Sequence, residues 1–137
     1  MLDQPGPWHR HQARGMCLLS RFPILEVAER DPGDMWVMSG SGAIVRYALE
    51  TPVGRVDITN VHLETPREGI EAILGSRLAG VPILEDKNQQ RAIEARLARR
   101  WVDESPGALR VVAGDFNTPV ESNLFREYWT GFRDCHS

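Results

Sequence analysis

From Ala43 to Leu63 the apolar residues alternate, first through Val45, Tyr47 and Leu49 and again along Arg55 to Leu63, on either side of Thr51-Pro52-Val53-Gly54. A period of two commits each run to an extended strand with one apolar face, and the short turn-forming connection pairs them as a β-hairpin. The period then changes. Ile93, Leu97 and Trp101 lie on one stripe of a helix predicted over Asn88–Asp103, with weaker helical spacing from Arg67 to Leu74. The opposite face carries Arg96, Arg99 and Asp103 and reads as solvated, with an Arg99–Asp103 ion pair worth a few tenths of a kcal/mol. Ser105-Pro106-Gly107 stops the helix, and Leu109 to Ala113 follows as a β-rich run expected to be buried on both sides. The order is strand, helix, strand.

Upstream, Met1 to Arg14 combines Pro5, Gly6 and Pro7 with His9, Arg10 and His11 and is expected to be an irregular lead-in, its histidines exposed. Met16 to Ser20 and Phe22 to Val27 read as two short strands, the second placed at an edge or bend by Pro23. Asp31-Pro32-Gly33-Asp34 and Ser39-Gly40-Ser41-Gly42 are turn chemistry. Near the other end Glu121 to Trp129 suits a short helix with Ser122 near its start.

The 137 residues suit one domain, and 42% hydrophobic with 26% charged residues describes a water-soluble globular chain rather than a disordered or fibrous one. Sixteen basic against nineteen acidic residues leave a net charge of −3, which argues against a broad cationic surface for nonspecific DNA binding. A phosphate substrate stays compatible, because a bound cation and a few arginines can offset an acidic average locally. Cys17 and Cys135 are too few for a disulfide framework; Cys17, inside an apolar run, reads as a buried thiol, and a single bridge between the two stays open. No leader pattern and no apolar stretch of about 18 residues is present, so a cytoplasmic location without a membrane span is expected.

Two places could carry chemistry. Val56, Ile58, Asn60 and His62 share one face of a strand that turns from apolar to polar toward its C-terminal end, either a site at a strand tip or a histidine hydrogen-bonded there. Gly114-Asp115-Phe116-Asn117-Thr118-Pro119 directly follows the last strand, so Asp115 and Asn117 can point the same way around Phe116 at a sheet edge. The same residues are common turn formers, and a plain turn would also explain them.

Gly15-Met16-Cys17-Leu18-Leu19-Ser20-Arg21-Phe22-Pro23-Ile24, Asn60-Val61-His62-Leu63 and Val112-Ala113-Gly114-Asp115-Phe116-Asn117-Thr118-Pro119, in that order, resemble the endonuclease/exonuclease/phosphatase superfamily, which includes deoxyribonuclease I. Glu121-Ser122, Tyr128-Trp129 and Phe132-Arg133-Asp134 extend the likeness over most of the chain. The resemblance implies an α+β fold, a two-layer β-sandwich flanked by helices, and divalent-metal-dependent hydrolysis of a phosphate ester, most simply by a nuclease-like phosphodiesterase. It implies that Asp115 orients or deprotonates the attacking water, that Asn117 holds the phosphate, and that His62 bonds a phosphoryl oxygen or aids departure of the leaving group. Asn60, otherwise a strand-end hydrogen-bonding partner that fixes the Asp115 loop, and Arg67, otherwise a surface arginine at the start of a helix, are candidate substrate-binding residues, and Asp115 with Asn117 candidate ligands of Mg²⁺ or Mn²⁺.

The family also uses an Asn and a metal-binding Glu near the start of its domain and an Asp-His pair near the end, and neither has a match in context here. His136 lacks the preceding Asp and reads as a tail residue. Residues 1–137 therefore read as a single, truncated domain, a central segment with uncovered sheet edges that two copies would complete by pairing. A non-catalytic fragment acting as a binding or assembly module is the alternative.

Overall fold

The computed structural model describes residues 7–30, 42–65, 74–75 and 80–135. In chain order they form β1 (His9–Ala13), β2 (Met16–Ser20), β3 (Ile24–Glu29), β4 (Ala43–Thr51), β5 (Gly54–His62), α1 (Gly80–Asp103), β6 (Leu109–Asp115) and α2 (Asn123–Trp129). β1 and β2 make a two-stranded sheet, and the second sheet has the order β3-β4-β5-β6. β3, β4 and β5 are antiparallel neighbours, whereas β6 lies parallel to β5 after the crossover through α1. This α+β arrangement is consistent with the fold that the resemblance implies.

The alternation in β4 and β5 explains the layering. Val45, Tyr47 and Leu49 project to one face, where Met16 of β2 completes a buried cluster with Ala13, Leu18 and Ile58 packed against it. The hairpin β1–β2 thus covers this face, and His11 meets Tyr47 edge to face with ring centroids 5.5 Å apart. On the other face Ile44, Val61 and Leu63 pack against Ala95, Ala98 and Trp101 of α1 and Trp129 of α2. Burying each such aliphatic side chain contributes about 1.5–3 kcal/mol. Arg46 adds a cation–π contact 5.1 Å from the Trp101 ring centroid.

Four expectations are corrected. His9–Ala13 is a strand, not irregular, because its alternating half-buried residues pair with β2 across a tight turn at Arg14 and Gly15, both at positive φ. Cys17 is exposed, on the outward side of β2, and both cysteines are free thiols. The buried side of α1 is formed by Gln90, Glu94, Ala95, Ala98, Trp101 and Val102, a rotation away from Ile93 and Leu97, which stay half-buried. β6 is an edge strand: Leu109 is 50% and Val111 45% exposed, since only the Val112 side of the strand meets the core. The weak helical spacing over Arg67 to Leu74 falls outside the described residues except at Leu74, which is helical.

Other readings hold. The hairpin runs in register from Ala43–His62 to Thr51–Gly54, and β3 sits at the sheet edge after Pro23. Ser122 caps α2 by accepting from the Phe125 N–H at 3.1 Å. The Arg99–Asp103 ion pair forms at 2.9 Å.

A carboxylate locks the far end of the sheet. Asp57, 1% exposed on β5, accepts from the Ser105 hydroxyl, from the Gly107 N–H at 2.8 Å and from Arg55 at 2.7 Å, tying β5 to the turn between α1 and β6. Burial by itself raises its pKa, but these donors outweigh burial and hold the carboxyl below its ordinary value. A depressed folded-state pKa stabilises the fold above the unfolded value of about 3.9, and that stability is lost as pH falls through the lower folded value. Urea midpoints measured from neutral pH downward should therefore fall below about pH 4, more steeply than in Asp57→Asn. At neutral pH the variant should be about 1–3 kcal/mol less stable because one donor is left unmatched.

Candidate active site

β5 and β6 run parallel and end together, and His62 and Asp115 are register partners at their C-terminal ends. Both side chains are exposed. This is the edge of a parallel pair at which loops present functional groups. Two hydrogen bonds lace the two ends and a third closes the turn after β6. The Leu63 N–H donates to the Asp115 carbonyl at 2.9 Å, the Asn117 side-chain amide donates to the Leu63 carbonyl at 2.7 Å, and the Asn117 N–H donates to Asp115 Oδ1 at 2.9 Å.

The local sequence dictates this geometry. Gly114 has φ of +135°, and a Cβ there would lie 1.9 Å from the Val61 carbonyl oxygen, so only glycine permits the approach of the strands next to Asp115. Phe116 turns inward against Phe125 and Trp129, with centroids 5.6 and 5.1 Å away. That anchor keeps Asp115 and Asn117 at the surface on either side of it. Asn117 adopts φ of +48°, a left-handed conformation that Asn tolerates. The run is thus a turn as well: Asp115 closes an Asx-type bond to Asn117 while staying exposed.

Of the residues singled out from sequence, His62, Asp115 and Asn117 come together. Asn60, half-buried on β5, lies opposite Ala113, one alternation before His62. Arg67 and His136 lie outside the described residues. His9 and His11 belong to β1, where His11 Nδ1 is 3.4 Å from the Tyr47 hydroxyl.

Sequence reasoning missed two residues that touch this edge from α1. Glu94 is 1% exposed, and its carboxylate accepts from the Glu64 N–H at 2.6 Å and the Gly42 N–H at 3.1 Å. Burial pushes its pKa up, while those two N–H groups and nearby His62 pull it back. Arg91, one turn earlier, donates to the Asn117 carbonyl at 2.8 Å and to Asn88. Beside it a cavity of about 390 Å³ opens, lined by Asn88, Arg91, Thr118, Ser122 and Glu127. The only signal in the sequence was two charged residues beside the Ala95/Ala98 stripe, which a solvated helix face would equally produce.

No group of three or more His, Cys, Asp or Glu side chains that could hold a metal occurs among the described residues. The donors at the strand ends are the Asp115 carboxylate, with Oδ1 engaged by Asn117, and the Asn117 amide oxygen, whose nitrogen is engaged by Leu63. Such a set fits a hard cation that keeps most of its waters, and not a metal demanding three or four nitrogen or sulfur ligands.

A profile of the Endonuclease/Exonuclease/phosphatase family matches residues 3–135. This chain belongs to that family. Its members are in general metal-dependent hydrolases acting on phosphate esters or nucleic acids. No curated protein matches the chain. Among the described residues no helix is long and apolar enough to cross a membrane.

Proposed function

We propose that the chain hydrolyses a phosphate ester with a divalent cation, as a nuclease-like phosphodiesterase, at the paired ends of β5 and β6. The observation that carries this reading is the register pairing of His62 with Asp115, laced through Asn117, within a hydrolytic family.

Attack on a phosphodiester needs an oriented water, neutralised charge on the phosphoryl oxygens and help for the leaving oxygen. Asp115 has one carboxylate oxygen beyond its bond to Asn117, suited to orienting or deprotonating water. The Asn117 amide is fixed by Leu63 and suits holding the phosphate. The exposed imidazole of His62 bonds a phosphoryl oxygen or protonates the departing alkoxide. Asn60 and Arg67 contact substrate. Mg²⁺ or Mn²⁺, held by Asp115 with Asn117, would supply the charge that stabilises the leaving oxygen. The test is turnover of a generic phosphodiester and of plasmid DNA with either cation; chelator should abolish it, and turnover indifferent to chelator would refute the metal's part.

A second reading, a non-catalytic binding or assembly module, is favoured by the burial of Glu64 and Glu94 at these strand ends, which leaves Asp115 as the exposed carboxylate beside His62. Such a module shows no turnover for chelator to remove.

The exposed edge of β6 supports a further element of the proposal, that two copies pair. Antiparallel addition of a second β6 would satisfy the open edge and set Leu109 and Val111 beside their counterparts on the same face. Light scattering at micromolar concentration should give twice the chain mass, and Val111→Lys should halve it. A monomeric wild-type chain would refute the pairing.

A further inference from the structure

The ends of β5 and β6 belong to different segments, yet both are gripped by the same turn of α1. Glu94 lies under the β4–β5 end. Its two carboxylate oxygens each take one backbone N–H, Gly42 immediately before β4 and Glu64 two residues after His62. Ala43 and His62 are register partners, so this pair of bonds closes the end of the β4–β5 ladder where His62 stands. Gly42 leaves room for it: a Cβ there would lie 2.6 Å from the Glu94 carboxylate. Arg91, at i−3 on the same helix face, reaches the other strand end through the Asn117 carbonyl.

We propose that Glu94 and Arg91 are positioning residues, which fix the His62 and Asp115–Asn117 strand ends relative to one another through a single turn of α1. As far as catalysis is concerned, this rests on the reading of His62, Asp115 and Asn117 as the hydrolytic site. The carboxylate is required, not merely a side chain of its length. A glutamine offers one acceptor oxygen and sets its NH₂ against the second N–H, so one of the two bonds is lost without a change of volume. Reacting groups displaced by as little as about 1 Å can lose about 100-fold in rate, so the clamp acts on turnover and not on the general hold of the sheet.

The test is amide hydrogen exchange on the wild-type chain and on Glu94→Gln, joined to hydrolysis kinetics. In the variant one of the Glu64 and Gly42 amides, the one left facing the NH₂, should exchange about tenfold faster, the equivalent of one lost hydrogen bond, while those of Tyr47 and Leu49 in mid-β4 keep their protection. Unchanged exchange at Glu64 and Gly42 would overturn the proposal. So would equal acceleration at Tyr47 and Leu49, which would make Glu94 a support of the whole sheet. Arg91→Met provides a second reading, because the amide nitrogen of Thr118 shares a peptide group with the Asn117 carbonyl: its ¹⁵N shift should move, and Arg91→Lys should restore it in part. A Thr118 shift indifferent to Arg91→Met would overturn the Arg91 half. In kinetics, kcat should fall about tenfold or more with KM nearly unchanged, and a change confined to KM would contradict positioning. A wild-type chain without turnover counts against the hydrolytic reading alone, and the exchange and shift measurements then still decide the clamp.

Discussion

Gly114→Ala should be the most damaging single methyl group that can be added to this chain, costing about 4 kcal/mol or more and removing the His62–Asp115 pairing with it. Two independent penalties combine. The backbone sits at φ of +135°, which L-residues rarely adopt and which costs about 1–3 kcal/mol to impose. The new Cβ would also stand 1.9 Å from the Val61 carbonyl oxygen and 2.8 Å from the Val61 nitrogen, so β5 and β6 must separate. Separation breaks the Leu63 N–H bond to the Asp115 carbonyl and the Asn117 amide bond to the Leu63 carbonyl. The measurement is a urea unfolding curve beside that of Gly54→Ala, where φ is +102° but nothing lies within 4 Å of the added atom. A cost at Gly114 no larger than at Gly54 would show that the strands do not approach as described.

Asp115→Asn should lower hydrolysis by about 100- to 10 000-fold while leaving the fold intact. Asparagine keeps the volume and the oxygen that accepts from the Asn117 N–H, so the Asx-type turn survives. It removes the negative charge that a cation and an attacking water both require. Asp115 is exposed, so no buried donor is orphaned, and the unfolding free energy should change by less than about 0.5 kcal/mol. A large loss of stability together with activity would place Asp115 in the scaffold instead.

Much of this architecture is legible in the sequence because alternation is unambiguous over β4 and β5, and turn chemistry separates them. The turn that follows β6 is legible too, since Gly114, Asp115 and Asn117 each meet a local demand of the backbone. What pairs His62 with Asp115 is not local: the parallel register of β5 and β6 is set by how α1 carries the chain across the sheet. The exposure of β6 was hidden for the same reason, as an apolar run looks alike in a central strand and at an edge covered on one side. Glu94 was hidden because helical spacing favoured Ile93, Leu97 and Trp101, whereas the helix turns Glu94 inward to meet two backbone N–H groups. β1 was hidden because His9, Arg10, His11 and Gln12 carry little apolar signal, and pairing with β2 alone makes them a strand.

The measurement that bears most directly on the central claim is the initial rate of phosphodiester hydrolysis against Mg²⁺ concentration, for the wild-type chain and Asp115→Asn purified side by side. Identical preparation matters, because a contaminating nuclease would appear equally in both. The account predicts a wild-type rate that rises and saturates with Mg²⁺, returns to background with chelator, and has no counterpart in the variant. Equal rates in the two preparations at every Mg²⁺ concentration would contradict it and leave the paired ends of β5 and β6 as a scaffold without chemistry.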